Sequence, residues 1–213
     1  MELSSAQCQE MMTLYPIWST YYHDAESTSQ RQPFGIVQQD YNRLLEDDHY
    51  KRLRMAYDLM LDIAHNDDVT IDHVTAIHAI LAYDDHDTSI IASKQQQASI
   101  DLLLRQTQNA SQQDHPFSHE LHLAGRLFFY MIANNLYATK SITTAYLITN
   151  AIIKKRLGDH ANLLIPFDQH DEVITFKTLI RDYCDHDFAE GIIWLASWNS
   201  WHQWSDYRHS VTD

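Results

Sequence analysis

Two stretches decide the fold: DHPFSHELHLAGRLFFYMIANN at residues 114–135 and KSITTAYLITNAIIKKRLG at residues 140–158. In the first, Asp114-His115-Pro116 is a good helix start, because proline at the first helical position loses no intrahelical hydrogen bond. The apolar run through Phe128, Phe129 and Ile132 then predicts a buried helix that Asn134 and Asn135 end. In the second, a helix runs from Lys140 or Ser141 to Leu157 and is closed by Gly158. Its last turn carries Lys154, Lys155 and Arg156, where positive charge suits the helix dipole. The apolar helical spacing predicts one core in which Phe128, Phe129 and Ile132 of the first helix meet Leu147, Ile148 and Ile152 of the second.

The segments around this pair also read as helical. Upstream, Gln95–Gln108 forms a helix through Ile100, Leu103 and Leu104, followed by a polar linker at 109–114. Val74, Ile77, His78, Ile80 and Leu81 give another, begun after the stop at Asn66–Asp68 and ended by the polar run 83–87. Between Asp40 and Ala64 the positions Leu44, Leu45, Leu53, Tyr57, Leu59, Met60, Ile63 and Ala64 are spaced for one long helix or two short ones, with a polar stretch at Glu46–Arg52. Downstream, Pro166 punctuates a loop, and Asp171–Tyr183 and Phe188–Trp204 form further helices. Ile90-Ile91 is the single β-like pair, so the chain is all-α with at most one small β-hairpin. Residues 1–39, with an aromatic patch at Tyr15, Trp18, Tyr21 and Tyr22 and a polar run at 23–33, form an N-terminal helix and loop extension. The helical domain spans 40–213.

Composition agrees with this reading and narrows the function classes. The 213 residues are 45% hydrophobic and contain only 4 Gly and 4 Pro, too few for a turn-dense β-sandwich or a disordered chain. Fifteen basic against 29 acidic side chains give a formal net charge of −14, so a nucleic-acid backbone, which needs a positive face, is not the expected partner. Cys8 and Cys184 form no disulfide framework and lack basic neighbours that would make a nucleophilic thiolate. Met1–Glu10 has no leader-like pattern, and the longest apolar run, Leu127–Ala133, falls well short of a membrane span. A cytoplasmic protein that touches no membrane is the expectation.

Several segments of the second half together resemble the Fic/Doc family, or Fido fold, whose members transfer a nucleotide or phosphate-containing group to a protein hydroxyl. In that family a buried helix leads into a loop reading HPFx[DE]GNGR, and a following helix continues as LLxNxxL. Leu147-Ile-Thr-Asn150-Ala-Ile-Ile resembles that second helix, which places Asn135–Tyr146 on the signature loop. Thr70–Leu81, with its Ile77-His78 pair, resembles the family's upstream IHxxL-like helix. Leu164-Ile-Pro166-Phe, Asp171–Leu179 and Asp185–Leu195 resemble the closing region. The resemblance covers 40–197 and implies a Fic-like helical bundle, with ATP and Mg2+ as the cofactors an active member would use.

The departures from the family pattern carry the functional expectation. The catalytic histidine falls on Asn135, and an amide cannot act as a general base near neutral pH. The metal-binding acid falls on Thr139, the phosphate-cradling Gly-Asn on Lys140-Ser141, and the two arginines on Thr143 and Tyr146. No site residue is expected to be catalytic. Lys140, Ser141 and the helix N-terminus remain as a weak anion or nucleotide site. A second register matches His115-Pro-Phe117 and Gly125-Arg126-Leu127 to the signature letters, but Ser118–Ala124 lacks the acid and the Gly-Asn-Gly-Arg cradle. Neither register completes a site of base, cradle and metal ligand.

Other constellations read more simply. His115, His119 and His122 are spaced for one helix face but lack H-E-x-x-H, and they read as solvated histidines. His-Asp recurs at His23-Asp24, His86-Asp87, His170-Asp171 and His186-Asp187, all at apparent loops or helix starts where acids are favoured by capping and the dipole. No metal is expected from either set, nor from the acidic turn at 84–87. Trp194, Trp198, Trp201 and Trp204 form a helical stripe whose first account is packing into the core; Trp201 and Trp204, near the chain end where less remains to cover them, are the candidates for an interface with a protein partner or a second copy. The sequence therefore points to a catalytically degenerate Fic-like module that binds or regulates. Its alternative is a diverged AMP transferase acting on a protein hydroxyl.

Overall fold

The structure, a computed structural model, describes residues 48–66, 68–82, 93–112, 117–134 and 141–158, together with Tyr137, Leu163, Thr175, Thr178, Leu179, Gly191 and Ile193. Five helices account for most of these residues, with no strand among them: α1 (Asp48–Asn66), α2 (Ile71–Leu81), α3 (Lys94–Gln112), α4 (Phe117–Ala133) and α5 (Ser141–Leu157). The all-α expectation holds. The extension at 1–39, the Ile90-Ile91 pair and most of the chain beyond 158 lie outside the described residues.

Helix α5 is the axis of the bundle. Every residue from Thr143 to Lys154 is buried, so the helix has no solvated face along that length. It packs against α1, α2, α3 and α4, while α1 also packs on α2 and α3 on α4. Phe128, Phe129 and Ile132 of α4 share one buried cluster with Leu147, Ile148 and Ile152 of α5, as their spacing predicts. The rings of Phe128 and Phe129 meet edge to face with centroids 5.4 Å apart, a favoured aromatic geometry. Phe129 also marks a close approach: a Cβ added to buried Gly191 would lie 3.1 Å from its ring.

Local chemistry sets the helix ends. Thr70 caps α2 reciprocally with His73: the Thr70 hydroxyl accepts the His73 N–H at 3.4 Å, and His73 Nδ1 accepts the Thr70 N–H at 3.2 Å. Ser93 and Gln96 form the same reciprocal cap at the start of α3. Gln96 then donates to Asn134 Oδ1 at 3.1 Å, and Asn134 donates to the Tyr130 carbonyl at 2.9 Å, tying the start of α3 to the end of α4. Gly158 closes α5 with φ at 94°, where its N–H bonds the Lys154 carbonyl at 2.8 Å. The polar stretch Asp48–Arg52, which leaves one long helix or two short ones open in the sequence, belongs to the single helix α1. One expected boundary moves: residues 109–112, read as linker, extend α3 as far as Gln112.

Between α1 and α2 the chain is held by a side chain far away in sequence. Gln108 of α3 accepts the Val69 N–H and donates to the Val69 carbonyl at 2.9 Å, all within the buried interior. One carboxamide thus satisfies both polar groups of an isolated residue that has no strand neighbour to do so. Its Nε2 also lies 3.2 Å from the Leu104 carbonyl.

Gln108→Ala strips both partners from Val69 and is expected to lower the unfolding free energy in urea by about 2 to 3 kcal/mol. Gln108→Glu, nearly identical in shape, also destabilises, since a carboxylate offers the Val69 carbonyl no donor. Equal stability of Gln108→Glu and the parent would show that the pairing carries no weight.

Candidate functional site

The segment that resembles a signature loop runs from the end of α4 into α5. Of its expected site residues, Asn135, Thr139 and Lys140 lie outside the described residues, as do the interface candidates Trp201 and Trp204. Ser141 is half-buried at the first position of α5, and its hydroxyl donates to the Tyr137 carbonyl at 2.8 Å. Thr143 and Tyr146, aligned with the two family arginines, are 1% and 3% exposed.

Tyr146 works with Asn150, one helical turn further along the same face of α5. The Tyr146 hydroxyl donates to the Leu163 carbonyl at 2.9 Å, and Asn150 Oδ1 accepts the Leu163 N–H at 2.6 Å. Asn150 Nδ2 turns back to the Tyr146 carbonyl at 2.9 Å. All of these groups are buried, so the two side chains grip both polar groups of one peptide residue as Gln108 grips Val69. Nearby on α5, Thr144 and Thr149 are fully buried, with no hydrogen-bond partner for either hydroxyl among the described residues.

Tyr137 fixes the middle of the connection. Its ring stacks on buried His78 of α2, centroids 3.5 Å apart and planes 6° from parallel. Its hydroxyl donates to Thr75 Oγ1 at 3.2 Å. Burial pushes the Tyr137 phenol above its ordinary value of 10.0, and the hydrogen bond with Thr75 opposes that only in part. The IHxxL-like segment of α2 and the loop that resembles the signature therefore meet in space through His78 and Tyr137.

The basic cluster at the end of α5 divides. Lys154 is buried, Lys155 pairs with Asp68 at 2.6 Å across the α1–α2 connection, and Arg156 is half-buried. Asp68 is 61% exposed, so this ion pair is screened and weak. The second register fails on backbone grounds. Gly125-Arg126-Leu127 lies in the interior of α4, where backbone N–H groups are spent on the helix ladder and cannot cradle an anion. Among the described residues no group of three or more His, Cys, Asp or Glu could hold a metal ion. His122 is exposed, and His115 with all four His-Asp pairs lies outside the described residues.

Known proteins add no identity: no family model, curated protein or solved structure matches the chain. Its chemistry has to be read from its own residues. Around the start of α5 the hydroxyls of Ser141 and Tyr146 and the amide of Asn150 bond the backbone, and the His78 ring lies against Tyr137. The two hydroxyls and the amide position the chain. The roles of Gln108 and of the His78–Tyr137 stack had no signal in the sequence. Asn150 was visible only as a letter of the LLxNxxL resemblance.

Tyr146→Phe and Asn150→Ala each leave one polar group of Leu163 buried and unpaired, and each is expected to cost about 1 to 3 kcal/mol in chemical denaturation. Because both act on one residue, and Asn150 Nδ2 also bonds the Tyr146 carbonyl, the double variant should fall short of the sum by at least about 0.5 kcal/mol. Strict additivity would show that they act separately.

A second expectation concerns alkaline pH. The raised pKa of Tyr137 favours its neutral form in the folded state, so its contribution is complete below pH 10 and is lost as pH rises towards the folded value. Tyr137→Phe should remove that part of the alkaline stability loss while costing the Thr75 bond at neutral pH. Parallel stability profiles for the two proteins between pH 9 and 11.5 would contradict it.

Proposed function

We propose that this chain is a catalytically degenerate Fic-like helical module that works by binding a protein partner in the cytoplasm. The observation that carries the reading is the fate of Thr143 and Tyr146. Where the resemblance asks for two arginines, the helix has two uncharged side chains turned into the core, and the Tyr146 hydroxyl is committed to the Leu163 carbonyl. A phosphoryl or nucleotidyl transfer site needs positive charge aimed at the oxygens where negative charge develops. Groups buried in a core cannot supply it. The meeting of His78 with Tyr137 supports the register, because it joins two of the segments on which the resemblance rests.

That no described helix is long and apolar enough to cross a membrane is consistent with this reading. Trp201 and Trp204 remain the sequence's candidates for the contact with a partner or second copy, and any nucleotide would be held weakly, through Lys140, Ser141 and backbone amides.

The test is incubation with labelled ATP and Mg2+, alongside calorimetric titration of the same ligand. No AMP transfer to the protein itself or to candidate targets is expected. Asn135→His should restore none, since a general base contributes about 10²- to 10⁴-fold only where the charged cradle is also in place. Labelled AMP on the parent protein, lost in the Lys140→Ala and Ser141→Ala variants, would overturn the proposal in favour of a transferase.

A further inference from the structure

We draw no further inference here: the strongest candidate, the buried stack of His78 on Tyr137 between α2 and the connection into α5, is a core contact whose loop neighbours lie outside the described residues, so nothing in the structure shows what a change in its protonation would release.

Discussion

A helix buried on every side has to place its polar side chains without water, and α5 meets that constraint at Tyr146 and Asn150 while the Thr144 and Thr149 hydroxyls have no partner among the described residues. Its peptide groups are bonded within the helix, but Thr143, Thr144, Thr149, Asn150 and Lys154 go into the interior with it. An unpaired buried polar group costs a sizeable part of a typical domain's net stability. The partner found for Asn150, and likewise for Tyr146, is backbone outside the helix, at Leu163. Thus the central helix holds Leu163 in place as well as contacting each of the other four described helices. Lys154 stands in the last turn, where the carbonyl end of the helix favours a positive charge.

The same solution occurs twice, at unrelated places. Gln108 reaches Val69 across 39 residues of sequence, and Asn150 reaches Leu163 across 13. In a sheet, a buried residue pairs with a neighbouring strand's backbone; at Val69 and Leu163 side-chain amides and a phenol take that part. Single residues between or beyond helices, Val69 and Leu163, can in this way be buried with their polar groups satisfied.

The helices were legible in the sequence to the extent that burial is periodic. Phe128, Phe129 and Ile132 repeat at helical spacing, Gly158 marks a stop, and the Asn66–Asp68 break separates α1 from α2 as read. Periodicity fails at polar helix ends, which is why residues 109–112 read as linker although α3 runs through them and why Asp48–Arg52 leaves one helix or two open, while the Ser93–Gln96 cap can be recognised from its spacing. The candidate site was legible in chemical character but not in role. That Thr143 and Tyr146 lack charge follows from their identity; that they are core residues does not, because Thr and Tyr occur both inside and outside proteins. The long-range partners of Gln108 and Tyr137 are set by tertiary packing, which no local pattern records.

The grip on Val69 and Leu163 also divides the freedom to vary unequally between the two sides of each contact. Gln108, Tyr146 and Asn150 engage only the peptide groups of their targets, so their bonds are indifferent to which apolar side chain stands at 69 or 163. Ile, Leu or Val could be exchanged there at the cost of repacking alone. Proline could not, since it would remove the N–H that each grip requires. Related chains would then show drift at the held residues and constancy at the holding ones, the reverse of what burial alone would produce.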